Sequence, residues 1–226
     1  MVIFRLTFES VHIKMAVKGI CAFQRREIMG RVEENKLLKQ TNLMDTAFQL
    51  FTSQGLTKTS ISDIVERAGV AKGTFYLYFK DKYDLHEKLV VHKAEQIFQH
   101  ALEHSGYEAL VSREDKLLAI MDDILYQLQS NPILLRFLGK NISWSIFHKV
   151  YEKTEAGYSG FFDELRNAAP SERKRMELEL FTVIELVGAA SYNVILSGEP
   201  IGLEEYLPYL HDSIRAIMAS FQGNEA

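Results

Sequence analysis

Two glycines, Gly55 and Gly69, interrupt an otherwise continuous helical period and leave two short helices side by side in the first third of the chain. From Glu33 onward, Leu43, Met44, Ala47, Phe48 and Phe51 recur at the three- and four-residue spacing of one helix face. Gly55 ends that helix. Thr59 or Ser60 can cap the next one, and Ser60 with Asp63 resembles a capping box in which Asp replaces the longer Glu. Ile61, Ile64, Val65 and Ala68 supply the buried face of this second helix, and Gly69 stops it. A third short helix is expected from Ala71 to Phe79. Two short helices joined by a turn at Gly69-Val70 have the helix-turn-helix layout, in which the second enters the DNA major groove and the first braces it.

The side chains of the third helix suit that placement. Phe75 and Phe79, four apart, can pack inward, which leaves Lys72, Thr74, Tyr76 and Tyr78 on outward or flanking faces. Hydroxyl and ammonium groups donate to phosphate oxygens, and a threonine methyl can touch a thymine methyl. Gly73 removes a side chain where the helix would approach a backbone closely. The alternative is a small three-helix core whose tyrosines merely pack on their neighbours.

Charge follows the same division. Residues 1–35 hold six basic and four acidic side chains and residues 36–85 seven and five, so each segment stands at +2; the net charge of −4 then leaves the remainder at −8. A slightly basic head on an acidic body suits a protein that meets a polyanion at one end. Residues 1–30 show no clear period. They read either as a disordered arm or mis-assigned start, with Met15 or Met29 as the true one, or as a basic arm carrying Lys18, Arg25, Arg26 and Arg31 to DNA phosphates.

The 226 residues are enough to bury a core, and 47% hydrophobic with 25% charged side chains is ordinary for a globular protein. The single cysteine, Cys21, excludes an internal disulfide and a cysteine-rich zinc site and fits a reducing cytoplasm. No apolar run approaches the roughly 20 residues of a membrane-spanning helix. Arg5, Glu9, Lys14 and Lys18 interrupt the apolar residues that a signal peptide would need. A cytoplasmic protein without a membrane partner is the expectation.

Beyond the polar break Lys80-Asp81-Lys82, a long helix is expected from about Lys82 to His104, and an amphipathic one over residues 114–129. Asn131-Pro132 restarts the chain, with Asn as cap and Pro at the first helical position, into a helix bearing Leu135, Phe137, Leu138, Ile142, Trp144 and Phe147. A further helix holds Tyr158, Phe161, Phe162 and Leu165. Pro170 opens a long one to about Leu196, which Gly198 and Pro200 close, and the last runs from about Leu203 to Phe221. The fold class is all-α, with about nine helices.

From Thr59 to Leu85 the chain resembles the TetR (tetracycline repressor) family. The likeness rests on Gly69-Val70, Ala71-Lys72-Gly73-Thr74 and Phe75-Tyr76-Leu77-Tyr78-Phe79, and it extends over Lys36 to Leu85. It implies a ligand-responsive transcriptional regulator, usually a repressor, that binds a palindromic double-stranded DNA operator as a homodimer and is released by a small-molecule inducer. The resemblance places Lys72, Gly73, Thr74, Tyr76, Leu77 and Tyr78 on the recognition helix. Tyr76, Tyr78 and Lys82 would contact phosphates, and Thr59, Ser60 and Ser62 would anchor the preceding helix on the DNA backbone. It also implies three regions: a 1–32 extension, a 33–82 DNA-binding domain, and an 83–226 helical domain for ligand binding and dimerisation.

The resemblance places the dimer contact on the last two long helices. Gly188, Ala189 and Ser191 permit a close helix approach there, and Leu180, Val183, Ile184, Val187 and Ile195 offer apolar surface; the alternative is a helix buried within its own chain. Met121, Tyr126, Phe137, Trp144, Phe147, Phe161, Phe162 and Tyr192 are candidate walls of an inducer cavity for an apolar or aromatic molecule, although most of such a set is ordinary core. His100, Glu103 and His104 match a zinc-peptidase spacing by letter, yet a solvated helix end accounts for them, and neither metal nor cofactor is expected. No nucleotide loop or nucleophile elbow occurs, so an enzyme is not expected. The rival from another class is a helical ligand-binding or scaffold protein without operator binding; it would be favoured by a recognition face lacking hydroxyl and basic groups.

Overall fold

The computed structural model describes residues 34–139, 143–153 and 163–222. The described residues form ten α-helices, against about nine expected, and no strand occurs among them. Helix α1 covers residues 34–54. It is followed by α2 (Ile61–Arg67), α3 (Lys72–Tyr76), α4 (Lys82–His104), a 3-10 turn (Tyr107–Ala109), α5 (Arg113–Ser130), α6 (Pro132–Leu138), α7 (Trp144–Lys153), α8 (Asp163–Asn167), α9 (Pro170–Leu196) and α10 (Leu203–Gln222). The chain divides into two compact units, a head that ends at Leu85 and a body that begins at His86.

In the head, the Ser60 hydroxyl accepts from the Asp63 amide and the Asp63 carboxylate accepts from the Ser60 amide, completing the capping box of α2. Those two hydrogen bonds also hold the Asp63 carboxyl below its ordinary range. Gly55 and Gly69 have φ of 87° and 67°, the left-handed backbone that glycine adopts without strain, and this is why α1 and α2 end there. The core is made by Leu43, Ala47, Leu50 and Phe51 of α1, Ile64 and Val65 of α2, and the rings of Phe75 and Phe79. Each ring removes enough surface from water to contribute roughly 1.5–3 kcal/mol. The Asp81 carboxylate caps α4 by accepting from the amides of Tyr83 and Asp84.

In the body, α5 and α9 pack with α10 around Leu125, Val183, Ile214 and Met218, while α4, α5 and α7 share a second cluster containing Phe98, Ile120 and Val150. Asn131 caps α6 by accepting from the Leu134 amide, with Pro132 at its first position, as its sequence indicates. The single helix expected from Asn131 through Phe147 is instead two, because Gly139 turns left-handed at φ 50° after Leu138 and α7 starts afresh at Trp144. By length and composition α9 is long and apolar enough to cross a membrane, which inspection for uninterrupted apolar runs misses because Glu179 and Glu185 break it. One face of α9 lies in the core against α10, and the buried Glu179 there pairs with Arg113 at 2.8 Å. Burial pushes the Glu179 carboxyl up, and the Arg113 guanidinium offsets only part of that.

Candidate nucleic-acid interface

With Phe75 and Phe79 turned inward, α3 presents Lys72, Gly73, Tyr76 and Leu77 to solvent, while Thr74 and Tyr78 are half-buried beside them. Tyr76 stands edge-on to Phe75 at 5.4 Å, so its ring is braced while its hydroxyl end stays outside. Leu77 is 78% exposed, an uncovered apolar side chain beside donors. A methyl group built on Gly73 would meet nothing within 4 Å. The head's own packing therefore does not require glycine at this position.

Ser60 and Ser62, at the start of α2, are exposed. Thr59 is not. It is 1% exposed, its hydroxyl donating to the Gly55 carbonyl at 2.9 Å and accepting from the Gln54 amide at 3.2 Å. It seals the α1–α2 turn and has no surface to offer a phosphate. Lys82 also departs from expectation. Its ammonium donates to the carbonyls of Leu56, Thr57 and Thr59 at 2.9, 3.1 and 2.9 Å. An ammonium has three donors, and all three are engaged. Lys58 and Lys80, exposed in the turns flanking the motif, and Tyr83, 62% exposed beside Lys82, are surface groups that the reading by resemblance passed over. The basic arm of residues 1–30 lies outside the described residues.

The body contains a half-open apolar cavity of about 140 Å³. Ala94, Ile97 and Phe98 of α4 form one wall, Ile120 and Met121 of α5 another, and Phe147 of α7 closes it from a third side. Of the side chains proposed from sequence, Met121 and Phe147 line it. Tyr126 does not: it is 40% exposed and its hydroxyl donates to Glu204 at 3.2 Å, tying α5 to α10. Phe137 packs against His86 at 5.2 Å, Trp144 stacks on the outer side of Phe147 at 5.3 Å, and Tyr192 packs on the cluster around Leu135. Phe161 and Phe162 lie outside the described residues. Aromatic residue type does not mark this cavity because most of the wall is aliphatic; the small Ala94 beside Ile97 and Phe98 on α4 is the feature legible in the sequence.

The candidate dimer residues on α9 mostly face the core of their own chain. Leu180, Val183, Val187 and Ser191 are buried in their own chain, Ile184 and Ile195 pack against that core, and Gly188 is half-buried. A side chain already covered by α10 has little surface left for a second copy. Ala189 does face outward, in line with Leu178, Phe181 and Glu185. Leu178 and Phe181 are 48% and 42% exposed, and Tyr209 on α10 is 65% exposed.

The head has the helix-turn-helix layout with an outward α3, and the body is all-helical with an apolar cavity. A model of the bacterial regulatory proteins of the tetR family matches residues 43–89. The chain is similar to the HTH-type transcriptional regulator YvdT of Bacillus subtilis, 44% identical over 26% of this chain and 32% of the relative. It is also similar to the fatty acid metabolism regulator protein of the same organism, 32% identical over 38% of this chain and 44% of the relative. The chain thus spans less than half the length of these relatives. A longer likeness joins it to an HTH-type transcriptional regulator of Haemophilus influenzae, 28% identical over 68% of this chain and 86% of the relative. The fold matches that of the fatty acid degradation regulator FadR of Bacillus halodurans with a TM-score of 0.52 at 20% identity, covering 78% of this chain and 94% of the other.

Proposed function

We propose that this protein is a transcriptional repressor, not an enzyme: it binds a two-fold DNA operator as a homodimer and is released when a small apolar molecule fills the body cavity. The outward face of α3 carries the reading. Lys72 and Tyr76 place donors at phosphate height, Thr74 and Leu77 reach toward base edges, and Gly73 leaves room for a surface that the free protein does not contain. The helical scaffold reading, in which DNA plays no part, offers no use for that opening. For dimerisation, the outward stripe Leu178, Phe181 and Ala189 on α9 together with Tyr209 on α10 is favoured over the residues facing the core.

The cavity supports a hydrocarbon ligand. Among the described residues, Ser143 is the one polar side chain in its walls, so a charged group would find no charged partner among them. Its volume matches about one small ring or a few methylene groups, so a longer alkyl chain requires the walls to part. Helix α4 provides Ala94, Ile97 and Phe98 to the cavity and Lys82 to the head. It is the element whose position both equilibria can bias.

Selection of duplexes from fragmented genomic DNA, followed by footprinting, tests the proposal. The expected product is a palindrome with half-sites about 34 Å apart. Lys72→Ala should weaken binding to all duplexes and reduce the salt slope by about one, whereas Thr74→Ala should alter sequence preference. Failure of the pool to enrich any sequence would reject operator binding. Calorimetry of the released ligand must show operator DNA weakening it by the same factor as the ligand weakens DNA.

A further inference from the structure

We propose that Lys82 is a positioning residue of the DNA-binding head, whose ammonium fixes the α1–α2 turn to the first residue of α4 and makes no phosphate contact. The proposal rests on the operator-binding reading above. Three carbonyls converge on one nitrogen, those of Leu56, Thr57 and Thr59, at 2.9 to 3.1 Å. They come from a segment more than twenty residues earlier in the chain, so the contact closes a loop that includes all of α2 and α3. These carbonyls belong to the turn between α1 and α2, where no helical amide is placed to meet them, and the ammonium satisfies all three.

The neighbours of this cage give it reach. Thr59 is buried and directly precedes Ser60, the cap whose reciprocal bonds with Asp63 set the first turn of α2. Holding the Thr59 carbonyl therefore fixes where α2 begins, and α2 braces α3. Below the ammonium, the Tyr83 ring lies 5.5 Å away and adds cation–π attraction without using a donor. A phosphate would have to draw Lys82 away from three charge-assisted bonds and leave those carbonyls unpaired. Exposed lysines nearby, Lys58, Lys72 and Lys80, can meet a phosphate with no such loss.

Arginine separates the two roles. A guanidinium keeps the charge and binds phosphate at least as well as an ammonium, but its planar fork cannot aim three donors at a single converging point. Lys82→Arg and Lys82→Met are compared with the wild type on the selected operator, well below the unfolding transition of each variant. Both are expected to lose roughly ten- to a hundredfold in operator affinity, as charge-assisted bonds to carbonyls are lost, with the salt slope unchanged. Hydrogen exchange in the full-length protein without DNA should accelerate at the amides of residues 60–64 in both variants. Rescue by arginine with a methionine slope lower by about one would overturn the proposal, as would wild-type affinity in both. Should the wild type bind no duplex, the operator reading fails on its own, and the exchange result still decides whether Lys82 grips the turn: unchanged rates would overturn it.

Discussion

The head closes tightly on the rings of Phe75 and Phe79, which are 0% and 2% exposed, whereas the body leaves about 140 Å³ unfilled between α4, α5 and α7. Both are helical and both bury Leu, Ile, Val and Phe, so composition does not separate them. They differ in what a displaced side chain would meet. In the head every inward group rests on another, and a small shift of α3 must carry its neighbours with it. In the body a wall can move into empty space. The proposed function, rigid reading of a duplex and a yielding response to a ligand, calls for these two kinds of packing.

Removing a head ring should give the largest effect. Phe75→Ala is expected to destabilise the head by about 3–5 kcal/mol, since the ring is wholly enclosed and little around it can collapse. Circular dichroism with site-resolved hydrogen exchange should show residues 34–85 opening while the protected helices of the body persist. Equal loss of protection in α9 and α10 would mean that the two units do not melt separately.

One substitution made in both places sharpens the contrast. Ala47 in α1 is 0% exposed, and Ala47→Leu should cost about 1–3 kcal/mol by overpacking. Ala94 in α4 borders the cavity, and Ala94→Leu should gain about 0.5–2 kcal/mol by filling it. Denaturant midpoints decide the signs. The Ala94 variant should in addition lose its response to any ligand that releases the wild type from DNA.

The body's buried carboxyl gives a pH dependence opposite in sign to that of Asp63 in the head, whose carboxyl is held low. Burial raises the Glu179 carboxyl above its ordinary 4.5, more than Arg113 lowers it. The folded protein then holds a proton that the unfolded chain has released, so this contribution to stability is present below pH 4.5 and fades as pH rises through the folded value. Glu179→Gln should flatten that part of the stability–pH curve. A curve unchanged in shape would show that Arg113 compensates the burial fully.

Local signals in the sequence were read correctly because their partners lie within a few residues: the Ser60–Asp63 box, Asn131-Pro132 before α6, Pro170 at the start of α9. The inward Phe75 and Phe79 followed from spacing alone. The task of Lys82 was not legible, since it depends on a loop closing over more than twenty residues; that of Thr59 is local, to Gly55 and Gln54, and was hidden by the resemblance. Which face of α9 is covered within the chain was not legible for a related reason. Helix α9 is apolar nearly all round, and only the docking of α10 decides which apolar side is spent inside the chain. The cavity was legible as a helical, apolar interior, but a void is a property of packing and has no residue type.

Gly73→Ala makes the smallest change and separates folding from reading most cleanly. Alanine is the better helix former, and a methyl at this position meets nothing within 4 Å, so the free head should gain about 0.5–1 kcal/mol. The same methyl projects from the outward face of α3, beside Tyr76 and Leu77. If that face lies against a duplex, the methyl holds the helix away from the groove, and operator affinity falls while thermal stability rises. A merely solvated face would let both measurements stay or improve together. Thermal melts and operator titrations on the one variant therefore have opposite expected signs, which no general loss of folding can imitate. A variant more stable than wild type and equally tight on the operator would remove α3 from the interface.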